Sequence, residues 1–188
     1  IVNLFLRLLR VFFVALFSRE RVDMLTPTLL QFRVFLTDQD MFAHMTNSRY
    51  LSFGDLGTIN YMIRAKFWPV LRKNGWFPVI CAQHVVINRM LRQPQKFILK
   101  TQVVGWDDTY VCLRHSFLRD DTQHAELRVV ARFASRNRKR VDTAQVMRSM
   151  GFTHSSPDID QQYLDMIAEV RAGRETVKSA PQVESQSP

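Results

Sequence analysis

The chain has 188 residues, 46% of them hydrophobic and 23% charged, enough for one globular domain with a core and short appendages. This excludes a repeat array, a collagen-like or wholly disordered chain, and a polytopic membrane protein. The net charge of +9 points to an anionic partner without naming it. Cys81 and Cys112 are too few for a disulfide scaffold and sit in apolar runs; they read as reduced thiols in a reducing, cytoplasmic setting. With no CxxC and no Cys/His cluster at ligand spacing, no metal site is expected.

Residues 1–17 read IVNLFLRLLRVFFVALF. Asn3, Arg7 and Arg10 fall at helical spacing on one stripe, with Leu, Phe and Val elsewhere. Residues 1–22 are therefore expected to form an amphipathic helix that lies in a membrane interface with its arginines snorkelling. A short tilted span and a helix docked on its own domain are the alternatives. A cleaved signal peptide fits poorly, because arginines interrupt the apolar run and no small-x-small site precedes Ser18. If the segment spans, Arg19 and Arg21 favour a cytoplasmic domain.

Residues 23–172 read as the folded domain. Leu30, Phe32, Val34 and Leu36 alternate, so a strand is expected over 29–36. A long helix is expected over 48–67, with Tyr50, Phe53, Gly57 and Tyr61 near one stripe and Gly54 and Gly57 allowing close approach to a sheet. Pro69, Gly75 and Pro78 mark a connector. Strands follow over 79–90, 96–106, 110–118 and 123–136, separated by the turns WDDT at 106–109 and RDDT at 119–122. In the last, Ala125, Leu127, Val129, Ala131 and Phe133 point inward against Glu126, Arg128, Arg132 and Arg136. A short helix over 142–149 ends at Gly151. A C-terminal helix runs over 158–171, with Ser156 or Asp158 as cap. Residues 173–188 read as a disordered tail. The order strand, helix, four strands predicts an α+β fold in which one curled antiparallel sheet wraps one long helix. Exposed edge strands predict a homodimer or a dimer of dimers.

The segment that carries chemistry is Thr37-Asp38-Gln39-Asp40-Met41-Phe42-Ala43-His44-Met45-Thr46-Asn47-Ser48-Arg49-Tyr50. Two acids, a histidine and an asparagine converge just before a helix N-terminus, whose free N–H groups can polarise a carbonyl. At these residues the chain resembles the hotdog-fold acyl-CoA thioesterases of the 4-hydroxybenzoyl-CoA thioesterase type. Asp38 and Asp40 match their Asp-x-Asp, His44 their His, Asn47 the second Asn and Tyr50 the Tyr one turn into the helix. Ala43 stands where that pattern has Gly, and Thr46 where it has the first Asn. Met45-Thr46-Asn47, Gly105-Trp106-Asp107 and Ser156-Pro157 bring the chain nearest a membrane-anchored thioesterase-like subgroup.

The resemblance implies hydrolysis of an acyl-CoA, or a related thioester, to a carboxylic acid and a free thiol. Asp40 would be nucleophile or general base, with His44 and Asn47 beside it and backbone N–H groups at the helix start polarising the carbonyl. CoA is then part of the substrate, and no cofactor is expected. Tyr50, Arg89, Arg136 and Arg138 are the candidate substrate-binding residues, the arginines for the CoA phosphates, although Tyr50 also fits the core. A non-catalytic acyl-CoA- or lipid-binding hotdog protein at a membrane is the alternative. Nucleic acid ranks last, because no aromatics interleave with the arginines.

Overall fold

The structure is a computed structural model that describes residues 2–18, 22–137, 139–152 and 154–179. Six strands form one antiparallel sheet: β1 (Thr28–Arg33), β2 (Trp76–Ile87), β3 (Lys96–Trp106), β4 (Val111–Arg119), β5 (Thr122–Ser135) and the short β6 (Arg140–Val141). The order across the sheet is β1-β3-β4-β5-β2, with β6 paired to β5. The short turns read from WDDT and RDDT join β3 to β4 and β4 to β5.

The inner face of the sheet buries α2 (Asn47–Arg64). Tyr50, Phe53, Gly57 and Tyr61 are buried along it, as the spacing requires. Gly54 and Gly57 are where helix and sheet come closest. A Cβ on Gly54 would collide with Leu127, and one on Gly57 with Thr101 and Leu99. The first half of α2 meets the sheet through a chain of rings, Phe32–Phe53 at 4.9 Å, Phe53–Phe97 at 5.1 Å and Tyr50–Phe117 at 5.0 Å. Each such ring contributes roughly 1.5–3 kcal/mol of burial. The inward row of β5 (Ala125, Leu127, Val129, Ala131, Phe133) is buried as the alternation requires. This is the hotdog arrangement, an α+β fold with an open curled sheet.

Several boundaries differ from the sequence reading. β1 ends at Arg33, and a 3-10 turn occupies Leu36–Asp38. The stretch around Pro69 is not a plain connector but α3 (Phe67–Asn74). Pro69 sits in its first turn, where no intrahelical N–H is lost. Asp142 caps α4 (Thr143–Ser149), its carboxylate accepting from Ala144 N–H at 2.7 Å.

The C-terminal helix, α5, runs Gln161–Ser179, past the expected tail boundary at 173; residues 180–188 lie outside the described residues. Neither expected cap serves it: Ser156 Oγ accepts from Trp106 N–H at 2.7 Å, and α5 begins directly after Asp160. α5 covers part of the outer sheet face. Tyr163, Met166 and Ile167 form a second small core there with Tyr110, Cys112 and Val130. Arg128, placed outward, is half-buried and ion-paired with Glu126 at 2.7 Å.

The first helix, α1 (Val2–Phe17), packs on α2. Arg7, Val11 and Ala15, spaced by four, face the domain and are buried. Arg7 therefore does not snorkel outward as the stripe suggested, whereas Arg10 is exposed. Phe5, Leu6, Phe13, Val14 and Phe17 form an apolar outer face, each more than half exposed. No described helix is long and apolar enough to cross a membrane. Arg19 and Arg21 lie outside the described residues.

Candidate active site

The loop between β1 and α2 doubles back on itself. Asp40 N–H donates to the His44 carbonyl at 2.9 Å, and Gln39 bridges to Met45. One oxygen of the Asp40 carboxylate, Oδ1, accepts from the N–H groups of Phe42 (2.9 Å) and His44 (3.2 Å). Its other oxygen, Oδ2, has no partner among the described residues, and Asp40 is exposed. The turn forces Ala43 into the left-handed region, with φ 58°. That explains why the thioesterase pattern carries Gly here: a Cβ in this region costs roughly 1–2 kcal/mol.

Asp38, two residues earlier, is fully buried. Its carboxylate takes both arms of the Arg7 guanidinium, at 3.0 and 2.7 Å, and the Phe35 N–H at 2.9 Å. Arg49, in the first turn of α2, adds a second cation at 3.4 Å. The Asp38 carbonyl accepts from Thr46 N–H, and Thr46 is the N-cap residue of α2.

Asn47 is the first residue of the helix proper and is exposed; in this first turn the Arg49 N–H already donates to the Thr46 carbonyl at 2.9 Å, while the N–H groups of Asn47 and Ser48 have no partner among the described residues. His44 is half-buried, and its imidazole makes no hydrogen bond among the described residues. Tyr50 is fully buried, its ring against Phe117 and its hydroxyl accepting from Leu91 N–H at 3.3 Å. Burial pushes this hydroxyl's pKa up, and the Leu91 N–H partly offsets it.

The loop thus ties Asp40 to the backbone of His44 and runs on to Asn47 at the start of α2, while Tyr50 is in the core. Leu91 ties the β2–β3 loop to the motif a second time, its carbonyl accepting from Met45 N–H at 2.8 Å. Arg89 lies in that loop, exposed, at the same end of the sheet. Arg136 is exposed at the far end of β5, beside Arg72 and Lys73, roughly 40 Å away at the rise of an extended strand. Arg138 lies outside the described residues. One chain therefore does not bring Arg89 and Arg136 to one place.

Two further features were not read from the sequence. Arg7 completes the Asp38 node from 31 positions away, and local spacing carries no signal of that. An apolar cavity of about 140 Å³ lies between α2, α3 and the β2 side of the sheet, lined by Met62, Phe67, Pro78, Ile80, Val129 and Phe133. It is roughly 20 Å from the start of α2, measured by helical rise.

A curled sheet round a helix whose N-terminus meets an acid-bearing loop defines a thioesterase-type hotdog domain. Residues 34–174 match the thioesterase-like superfamily, and the chain belongs to it. It is 30% identical over 96 residues to Protein THEM6 of Danio rerio and 32% identical over 92 residues to Protein THEM6 of Xenopus laevis. Those matches take in 51% and 48% of this chain and 48% and 44% of the relatives. The chain spans about half the length of the curated relatives it matches. The fold is similar to that of the DHNA-CoA thioesterase of Staphylococcus aureus, with TM-score 0.57, 10% identity, and coverage of 82% of this chain and 97% of that one.

Proposed function

We propose that this chain hydrolyses an acyl-CoA, or a related acyl thioester, and that Asp40 is the reacting carboxylate. The observation that carries the reading is the state of Asp40. One oxygen is fixed by two loop N–H groups, and the other has no partner among the described residues, in an exposed loop that runs on into the first turn of α2. A thioester has a good leaving group, so it needs a positioned carboxylate and donors for the carbonyl oxygen. Asp40 either adds to the carbonyl carbon, giving an anhydride that water then cleaves, or takes a proton from the water that attacks it. In both cases the carbon–sulfur bond breaks, and the CoA thiolate leaves and takes up a proton. His44 orients the loop through its backbone N–H and offers its imidazole to the carbonyl or to water. Asn47, exposed at the start of α2, is the proposed third member of the site.

The active unit in this reading is a homodimer. β2 ends the sheet order, and Ile80 on it is 46% exposed while lining the apolar cavity. A second β2 would close that cavity and bring a partner's loop toward it; two copies also offer a way for Arg89 and Arg136, at opposite ends of one chain, to serve one CoA. Arg89, Arg136 and Arg138 remain the proposed phosphate contacts. The outer face of α1, with Arg10 beside it, is the proposed contact with a membrane surface. The domain reading is an α1 segment to residue 22, the thioesterase-like domain, and a tail that starts later than 173.

Ala43 favours the second reading, a non-catalytic acyl-CoA- or lipid-binding protein, because a strained Ala holds the loop that must present the carbonyl donors. One experiment separates the two: hydrolysis and binding of an acyl-CoA chain-length series by wild type and Asp40→Asn. Catalysis predicts turnover that falls at least about a hundredfold in the variant while binding persists. Saturable binding with no wild-type turnover supports the second reading.

A further inference from the structure

We propose that Arg7, on the N-terminal helix, is a positioning residue for the Asp40 loop and acts through Asp38, so that α1 and the candidate site form one mechanical unit. The catalytic half of this inference rests on the thioester-hydrolase reading; the structural half does not.

The guanidinium is a built-in contact, 7% exposed and gripping both oxygens of a carboxylate that is fully buried. It lies 4.8 Å from the rings of both Phe35 and Phe53, and a second bond from Nη2 reaches the Arg33 carbonyl at the end of β1. Arg7 therefore joins three elements: α1, the end of β1, and the loop.

Asp38 passes this grip to both ends of the loop. Its carboxylate holds Phe35 N–H at the entrance, and its carbonyl holds Thr46 N–H, the cap of α2, at the exit. Between those two points lie the Asp40–His44 turn and the Gln39–Met45 bridge. The segment contains a left-handed Ala43, and its tip residues, Met41 and Phe42, are 90% and 71% exposed. Nothing at the tip packs it in place, so the geometry of Asp40 depends on the anchors at the base of the loop: the two Asp38 contacts and, on the exit side, the bond from Met45 N–H to the Leu91 carbonyl. Arg49 alone is a weaker substitute, since it meets Asp38 with one atom at 3.4 Å and spends another donor on the Thr37 carbonyl. A planar two-oxygen grip fixes orientation as well as charge. A misplacement of about 1 Å at a reacting group can cost about a hundredfold in rate.

The test uses the full chain as wild type, Arg7→Met and Arg7→Lys. Amide hydrogen exchange is followed over residues 36–46, and kcat and KM are measured with an acyl-CoA that the wild type turns over. A positioning role predicts exchange at Phe42, His44 and Thr46 at least about tenfold faster in Arg7→Met, with the sheet and α2 protected as in wild type. It predicts kcat at least about tenfold lower with KM within about twofold, because the loss falls on the transition state. Arg7→Lys keeps the charge but not the fork, and is expected to fall between the two. If Arg7→Met does not fold, Arg7→Lys carries the same readouts. Wild-type loop exchange in the variant that folds overturns the proposal, whatever its melting temperature. No turnover in the wild type removes the hydrolase reading and leaves loop exchange to decide the inference alone.

Discussion

Asp38 and Asp40 are two residues apart in one loop and occupy opposite environments. The first is buried, shared by two guanidinium groups, and bonded to the backbone on either side of the turn. The second is exposed, steadied by two N–H groups of its own loop and open on one oxygen. The 3-10 turn at Leu36–Asp38 followed by extended backbone at Gln39 turns one carboxylate in and the next one out. In the proposed reading the two acids divide the work: Asp38 holds the loop and Asp40 does the chemistry. Burial and partners, more than residue type, assign the roles.

The comparison can be broken most forcefully from the buried side. Asp38→Ala strands Arg7 without its counter-charge, and removing one partner of a buried pair costs about 3–5 kcal/mol. Denaturant unfolding should show a loss of that size, and a loss below about 1 kcal/mol would mean that Asp38 is no anchor.

A second buried polar group sharpens the contrast because it has no counter-charge. His115 is fully buried beneath α2, with Nδ1 2.9 Å from the Thr101 hydroxyl, and burial pushes its pKa down to about 4. The folded state therefore resists protonation while the unfolded chain accepts a proton near pH 6.5. Above that pH both states are neutral and stability is complete. As pH falls from about 6.5 to about 4 the unfolded state binds the extra proton and stability drops, by about 3 kcal/mol in all. Unfolding measured across that window should follow this slope, and His115→Gln should flatten it. An unchanged slope in the variant would assign acid sensitivity to other groups.

The smallest effect concerns the exposed side. Ala43→Gly relieves a left-handed alanine and gives back some backbone entropy to the unfolded chain, so a net gain of up to about 1 kcal/mol is expected. Thermal unfolding should show a rise of a few degrees; a fall would mean that the loop does not need the left-handed turn.

The elements were legible where periodicity is strong. The Tyr50, Phe53, Gly57, Tyr61 stripe and the Ala125 to Phe133 alternation report burial directly, and the Asp-x-Asp motif located the candidate site. α3 was not legible, because Pro69 reads as a breaker until its place in the first turn is known. The extension of α5 to Ser179 runs through a composition that resembles a tail. Arg7 was hidden for a different reason. A charged residue in an apolar helix signals an interface of some kind, but which side it faces depends on an acid 31 residues away. The same distance limit applies to the arginines: Arg89 and Arg136 share a charge and a function on paper, yet stand at opposite ends of β5.

The division of labour between the two acids is tested most directly by measuring kcat toward an acyl-CoA and unfolding free energy side by side for Asp38→Asn and Asp40→Asn. The account predicts a double dissociation. Asp40→Asn should lose at least about a hundredfold in kcat and change stability by less than about 0.5 kcal/mol. Asp38→Asn should lose several times more stability than that while the folded fraction keeps the larger share of its turnover. The reverse pattern, with Asp38 essential for turnover and Asp40 dispensable, would contradict it.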